Sequence, residues 1–465
     1  MEKNFENTDE NLEAVKRFEQ MIKDGGSEYL DYAIFLNIIQ YYQRKRKFKK
    51  AIKACELGLE QHPFSLEVKF LFSTICLESG EFELGLEKIN EILTIQPTDI
   101  EYLDVKAELL LYLNRHQEAL DIYQQILPLS SEKAMIYYQL SEAAQGLDNH
   151  ELAIDYLLKT LKLNPENEEA IFELYHSYEV LGKIDECIVE LNKFIDANPY
   201  SQHIWYNLGI LYDRLENFEK AIDAYEFAVA INPNYSSAYY NMGAAYMALK
   251  QYEEAIVQFN YTTKNDKHED PFLLQSIGHC HFELKDYPKA LKLYRKGIKL
   301  EPLLHEAWYG VGLILEEQEK WMEAVHFFGK AHEIDENYVK YIKALAQTEY
   351  QLGNIVSSIE YFQKAIAIDD KDSNVWVSWS YIYHEQGDTE QAITIILDAL
   401  EELPDNAELF YRLACYLITK GNLKEAFIYL ENALILDYEM HTVLFEFFQD
   451  LETQKALVKI IDEYR

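Results

Sequence analysis

The chain has few residues that would cross-link it or interrupt it. Its five cysteines, Cys55, Cys76, Cys187, Cys280 and Cys415, are odd in number, widely separated and without a CxxC pair. That usage argues against a disulfide framework and a zinc knuckle, and is expected of a reduced, cytoplasmic compartment. Only 17 glycines and 10 prolines occur in 465 residues, so regular elements should dominate and no long linker is expected. No apolar run approaches the roughly 18 residues of a membrane span. The start, MEKNFENTDENL, lacks the apolar core of a signal peptide. Cations are also scarce, with 43 Lys and Arg against 80 Asp and Glu, for a formal charge of −37. Such a field opposes phosphate backbones and anionic lipid surfaces and favours partners with basic segments.

What the chain does have is tyrosine and phenylalanine, 36 and 23 of them, and a ruler. Pro63, Pro97, Pro165, Pro199, Pro233, Pro302 and Pro404 are separated by 34, 68, 34, 34, 69 and 102 residues. A period of that size marks stacked supersecondary units, each burying its apolar face against its neighbours, and overrides the several-domain prior that length alone would give. Within the unit 202–235, Trp205, Leu208 and Tyr212 form one stripe at three- and four-residue steps. Ala221, Tyr225 and Ala228 form a second, so each unit reads as two antiparallel helices. Small residues recur at the Gly209 position, as Ser73, Ala107, Ser141, Gly243, Gly278, Gly312, Ala346, Ser380 and Ala414, with Ile39 and Tyr175 as departures. The Ala221 column is equally small, from Ala51 and Gly85 to Ala392 and Ala426.

The eight positions Trp205, Leu208, Gly209, Tyr212, Ala221, Tyr225, Ala228 and Pro233 make the unit resemble the tetratricopeptide repeat. The resemblance implies an all-α, right-handed superhelical solenoid of antiparallel helix pairs. The ruler divides it into twelve repeats over 32–440, each of 34 residues except 236–270. Residues 1–31 are expected to be a disordered start and an N-terminal capping helix carrying Ala14, Phe18 and Met21, which stops at Gly25-Gly26-Ser27. Residues 441–465 are expected to supply two C-terminal capping helices. The first is so apolar, with Leu444, Phe445, Phe447 and Phe448, that either Leu451, Leu457 and Ile460 cover it or a homodimer contact does.

No catalytic constellation emerges. Gly310-Val311-Gly312 lacks the third glycine and the preceding strand of a nucleotide loop. In His279-Cys280-His281 the two imidazoles, two residues apart on a helix, point about 200° from each other and converge poorly on a metal. The reading is non-enzymatic, with neither cofactor nor metal.

The resemblance further implies that first helices line a concave groove and that the residues after the Trp column point into it. Those residues are Tyr138, Phe172, Tyr206 and Tyr240 in four successive repeats, with Asn207 and Asn241 next to the last two. Aromatics give contact area, and side-chain amides suit an extended backbone. The asparagines resemble the groove asparagines of the tetratricopeptide part of O-GlcNAc transferases. Other groove places carry Glu67, Glu101, Asp104, Glu108, Glu142, Glu169, Glu173, Glu179, Asp213, Glu306 and Glu316, against Arg214, Lys340, Lys343 and Arg412, which implies a basic or neutral peptide segment of a protein partner. The carboxylate clamp that the family uses for acidic chaperone tails is absent: after Asn37 its basic places hold Glu67 and Leu71, after Asn207 Ser237 and Asn241, and after Asn241 Phe272 and Ser276. The alternative is a nucleic-acid or membrane-associated regulator docking through the basic turn 44–53, which holds Arg44, Lys45, Arg46, Lys47, Lys49, Lys50 and Lys53.

Overall fold

A computed structural model describes residues 9–24, 28–263, 269–448 and 451–463. The expected disordered start and the Gly25-Gly26-Ser27 stop lie outside the described residues. Among the described residues the chain is all-α, with twenty-seven α-helices, one 3-10 turn and no strand. It divides into two compact units, Met1–Ala245 and Tyr246–Arg465.

Helices begin where a side chain can accept the first free N–H groups. Ser65, Asp99, Asn167, Ser201, Asp270, Asp372 and Asn406 each cap a first helix, as Asn167 Oδ1 does by accepting from the Ala170 N–H at 2.8 Å. Each such cap contributes about 1 kcal/mol. The turn inside each pair follows one rule. Positive φ occurs at Arg46, Gly80, Asn114, Asp148, Gly182, Glu216, Lys250, Lys285, Glu319, Gly353, Gly387 and Gly421, 34 residues apart except for 35 between Lys250 and Lys285. A left-handed residue is what reverses the chain after a helix, and only at the five glycines does it come without a Cβ penalty.

The small columns are where the paired helices meet. The Ala221 column is fully buried, as are Ala51, Ala119, Ala153, Ala255, Ala290, Ala324, Ala392 and Ala426. A Cβ added to Gly209 would stand 2.4 Å from a Tyr225 ring carbon, and one added to Gly312 would stand 2.4 Å from Phe328. The glycines therefore make room for an aromatic ring from the second helix. Where the column departs, Ile39 and Tyr175 are themselves buried. The tryptophans tie one pair to the turn before it: the indole N–H groups of Trp205, Trp308 and Trp376 donate to the carbonyls of Pro199, Pro302 and Asp370, each at 2.9 Å. First helices also touch their successors, as Ile100–Tyr112 touches Lys133–Gly146 and Glu168–Val180 touches Gln202–Arg214.

Both ends carry helices that seal the core. The helix Asp9–Asp24 buries Phe18 and Met21 against Phe35 and Tyr42. At the other end, Thr442–Phe447 buries Leu444 in a cluster with Leu457 and Ile461 from Leu451–Glu463, and Ile460 packs at its margin. The Leu451 side chain lies outside the described residues.

Candidate functional site

The six predicted site residues all belong to the first unit and stand on four first helices, Lys133–Gly146, Glu168–Val180, Gln202–Arg214 and Ser236–Ala248. They are not equivalent. Tyr138 is half-buried against the core, and burial, with Glu142, Glu173 and Glu169 nearby, pushes its hydroxyl up to about 12. Phe172 is 56% exposed, its ring 6.3 Å from that of Tyr175. Tyr206 is held between Tyr225 and Tyr235, with ring centroids 5.8 and 4.9 Å away, and its hydroxyl accepts from Asn241 Nδ2 at 3.2 Å. Asn207 Nδ2 donates to the His203 carbonyl of its own helix at 2.9 Å. Tyr240 is half-buried. Thus Tyr206 and Asn241 are joined, Asn207 turns its donor to its own backbone, and Phe172 is the aromatic most open to solvent.

The carboxylates expected on this face are present and strained electrostatically. Desolvation is the main cause in each of three cases. It raises Asp104, with Glu132 and Glu101 adding to the effect, and it raises Glu108, beside Asp104. Glu142 is itself exposed, yet the protein atoms crowded around its carboxyl carry it up to about 7, with Glu173 and Glu108 contributing. Charged forms in such places lose hydration and repel one another. Glu173 is partly relieved by Gln145, whose Nε2 donates to its Oε2 at 2.9 Å.

The sequence did not reveal how second-helix tyrosines stand to the carboxylates of the first helices. The Tyr225 hydroxyl donates to Asp213 Oδ2 at 2.5 Å, which leaves Asp213 Oδ1 buried without a partner. Tyr123, three repeats earlier, is completely buried and its hydroxyl has no hydrogen-bond partner, although Asp104, Glu108 and Glu142 act on it. The A-x3-Y spacing, Ala119 to Tyr123 and Ala221 to Tyr225, was the available signal.

Other motifs resolve separately. His279, Cys280 and His281 look three ways: Cys280 is buried, His279 Nε2 lies 4.0 Å from Glu283, and His281 Nδ1 lies 3.8 Å from Asp286. Among the described residues no three His, Cys, Asp or Glu side chains come close enough to hold a metal, and no helix is long and apolar enough to cross a membrane. In the basic turn, Lys50 pairs with Glu19 at 2.5 Å and Lys53 with Glu56 at 3.0 Å, while Lys45, Arg46, Lys47 and Lys49 are exposed. The second unit holds a cavity of about 510 Å³ lined by Trp321, Tyr350, Tyr381 and Arg412, and a smaller one of about 240 Å³ beside Tyr309 and Lys340.

Comparison with known proteins gives the same family in several places. Models of the tetratricopeptide repeat match residues 134–167, 204–235, 224–257, 277–337 and 380–437. Among curated relatives, the BBSome complex member BBS4 of Xenopus tropicalis is 24% identical over 121 residues, 26% of this chain and 23% of that protein. Anaphase-promoting complex subunit 3 of Schizosaccharomyces pombe is 22% identical over 136 residues, 29% of this chain and 20% of that protein. The TPR repeat-containing protein MJ1428 of Methanocaldococcus jannaschii is 25% identical over 163 residues, 33% of this chain and 29% of that protein. The matches thus span under a third of each relative's length. A solved structure described as YrrB, a TPR protein with an unusual peptide-binding site, is 22% identical and covers 40% of this chain and 95% of its own, with a TM-score of 0.32.

Proposed function

We propose that this chain, a tetratricopeptide repeat protein and as such a scaffold for protein partners, holds an extended peptide segment of a partner on the first-helix face of its first unit. The segment is basic or neutral and lies over Tyr138, Phe172, Tyr206, Asn207, Tyr240 and Asn241. The observation that carries the reading is Phe172, an aromatic left 56% exposed beside Tyr175, with Glu169 and Glu173 on its own helix and Glu142 on the preceding first helix. Exposed aromatics flanked by polar groups are typical interface anchors. One N–H of each amide, Asn207 and Asn241, is committed within the chain, and their Oδ1 atoms serve as acceptors for backbone N–H groups of the segment. The role is binding without catalysis or cofactor, and five free, buried cysteines are compatible with a reducing, cytoplasmic setting.

The test begins with random dodecapeptides displayed on phage and selected on the full chain, followed by calorimetry of the selected peptide. Changing Asn207 and Asn241 together to Ala should weaken binding by about 2 kcal/mol or more. Changing exposed Glu226 of Phe218–Ile231 to Gln should leave binding unaltered. Equal affinity for the asparagine double variant and the wild type would move the site elsewhere.

A further inference from the structure

The carboxylates of the third and fourth repeats raise a question that the segment-binding reading leaves open, namely what balances them. Asp104 and Glu108 stand one turn apart on Ile100–Tyr112, and Glu142 stands on the adjoining first helix Lys133–Gly146. Residues four apart on a helix share a face. The charged groups that act on them are other carboxylates, and Arg115, the arginine nearest in sequence, pairs with Glu118 at 2.8 Å. Asp104 Oδ1 is buried without a hydrogen-bond partner, and so is Gln139 Oε1 on the second of the two helices.

A second, independent observation comes from behind. Tyr123 belongs to His116–Ile126, which packs on both first helices, and it is 0% exposed. Its hydroxyl is buried with no partner, yet the ionised groups acting on it are Asp104, Glu108 and Glu142. The equivalent Tyr225 closes a bond to Asp213 directly. At Tyr123, a buried donor and several acceptors act on one another without a hydrogen bond from that donor, and ordinary folded interiors satisfy such a locus. The occupant of that locus must neutralise charge and donate several hydrogen bonds. A compact metal ion does not suit it, because among the described residues no three such ligands converge on one point. A guanidinium spreads its charge over a planar fork with five donors and can meet carboxylates on two helices at once.

We infer that Asp104, Glu108 and Glu142, backed by Tyr123, form a socket for one arginine side chain of the bound segment. This rests on the segment-binding reading and adds a fixed chemical demand to it. The remainder of the segment then runs toward Phe172 and Tyr206 on the succeeding first helices.

The experiment uses the same displayed library on three full-length proteins: the wild type, D104N/E108Q/E142Q, and a control of equal charge change on the exposed second-helix positions of Phe218–Ile231, E219Q/D223N/E226Q. Wild type and control should enrich arginine at one position of the selected peptides, and the socket variant should not. The best wild-type peptide, resynthesised with citrulline in place of that arginine, should lose about tenfold or more in affinity for the wild type and about twofold or less for the socket variant. Circular dichroism of the socket variant guards against unfolding, and Y123F, which removes only the hydroxyl, supplies a second variant expected to weaken the arginine preference. Peptides that bind wild type without arginine enrichment, that prefer lysine, or that keep the preference on the socket variant would overturn the socket while leaving segment binding intact. A wild type that yields no binders would overturn both.

Discussion

The two units are built by one rule and finished differently. In each, an aromatic ring from a second helix fills the space over a glycine, Tyr225 over Gly209 in the first and Phe328 over Gly312 in the second. In each, a left-handed residue turns every pair. The faces differ in how charge is arranged. The first unit gathers Asp104, Glu108 and Glu142, on which further carboxylates act, and sets Arg214 over the Tyr175 ring at 5.1 Å, whereas the second sets Lys340 over the Tyr309 ring at 4.9 Å and Arg412 over Phe447 at 5.6 Å, with the Arg412 Nε buried and unpartnered. The repeat fixes how helices pack and leaves the first-helix surface free to vary, so the chemistry of binding is written in positions that the packing does not constrain.

The sharpest way to break the shared part of the comparison is to crowd the glycines. Gly209→Val and Gly312→Val should each cost about 3 kcal/mol, since overpacking forces rings and backbone to move. By contrast, Gly329→Ala, with nothing within 4 Å of the added Cβ, should be neutral or stabilising by about 1 kcal/mol as a helix-interior change. Urea denaturation read by circular dichroism checks all three, and tolerance of Val in one unit alone would show that the units are not packed alike. A smaller effect is expected at the turns. Gly80→Ala and Gly353→Ala, at φ of 85° and 80°, should each lose about 1 kcal/mol, and Glu319→Gly, at 58°, should gain up to about 1 kcal/mol.

The smallest effect sharpens the difference between the faces. Raised carboxylates favour the folded state when protonated, so the native chain binds more protons than the unfolded one between their ordinary and folded pKa values. Stability should therefore fall as pH rises from about 4.5 to about 7, the window set by Glu142. The charged and titratable groups around Asp104, Glu108 and Glu142 are Glu101, Glu132, Glu173, Tyr123 and Tyr138. D104N/E108Q/E142Q should then melt higher than wild type above pH 7, with the gap closing near pH 4.5. Thermal scans across that range check it, and a variant less stable at every pH would show that the carboxylates are already compensated within the chain.

The helix pairs were legible because packing repeats: the proline ruler, the small Gly209 column and the alanine column each encode a contact made in every repeat. The turns were not, since seven of the left-handed positions carry residues such as Arg46, Glu216 and Lys250, which reveal no special backbone. The face was half legible. Its acidity could be read from Asp104, Glu108 and Glu142, but the direction of a side chain could not. Asn207 donates to its own helix and Asn241 to Tyr206 because short amides bond locally when a carbonyl or hydroxyl is in reach. The hydroxyl of Tyr123 is not legible because the A-x3-Y tyrosine reads as core, and its ring is core.

The most direct measurement of the central claim uses a photo-crosslinking phenylalanine analogue placed at Phe172 of the first unit or at Phe272 of the second, both 56% exposed on first helices. Each full-length protein is irradiated with the peptide selected on the wild type, and the cross-linked product is quantified by mass spectrometry. A peptide held on the acidic first-helix face is captured at position 172 and not at 272. Capture at 272 alone, or equally at both, would contradict the account.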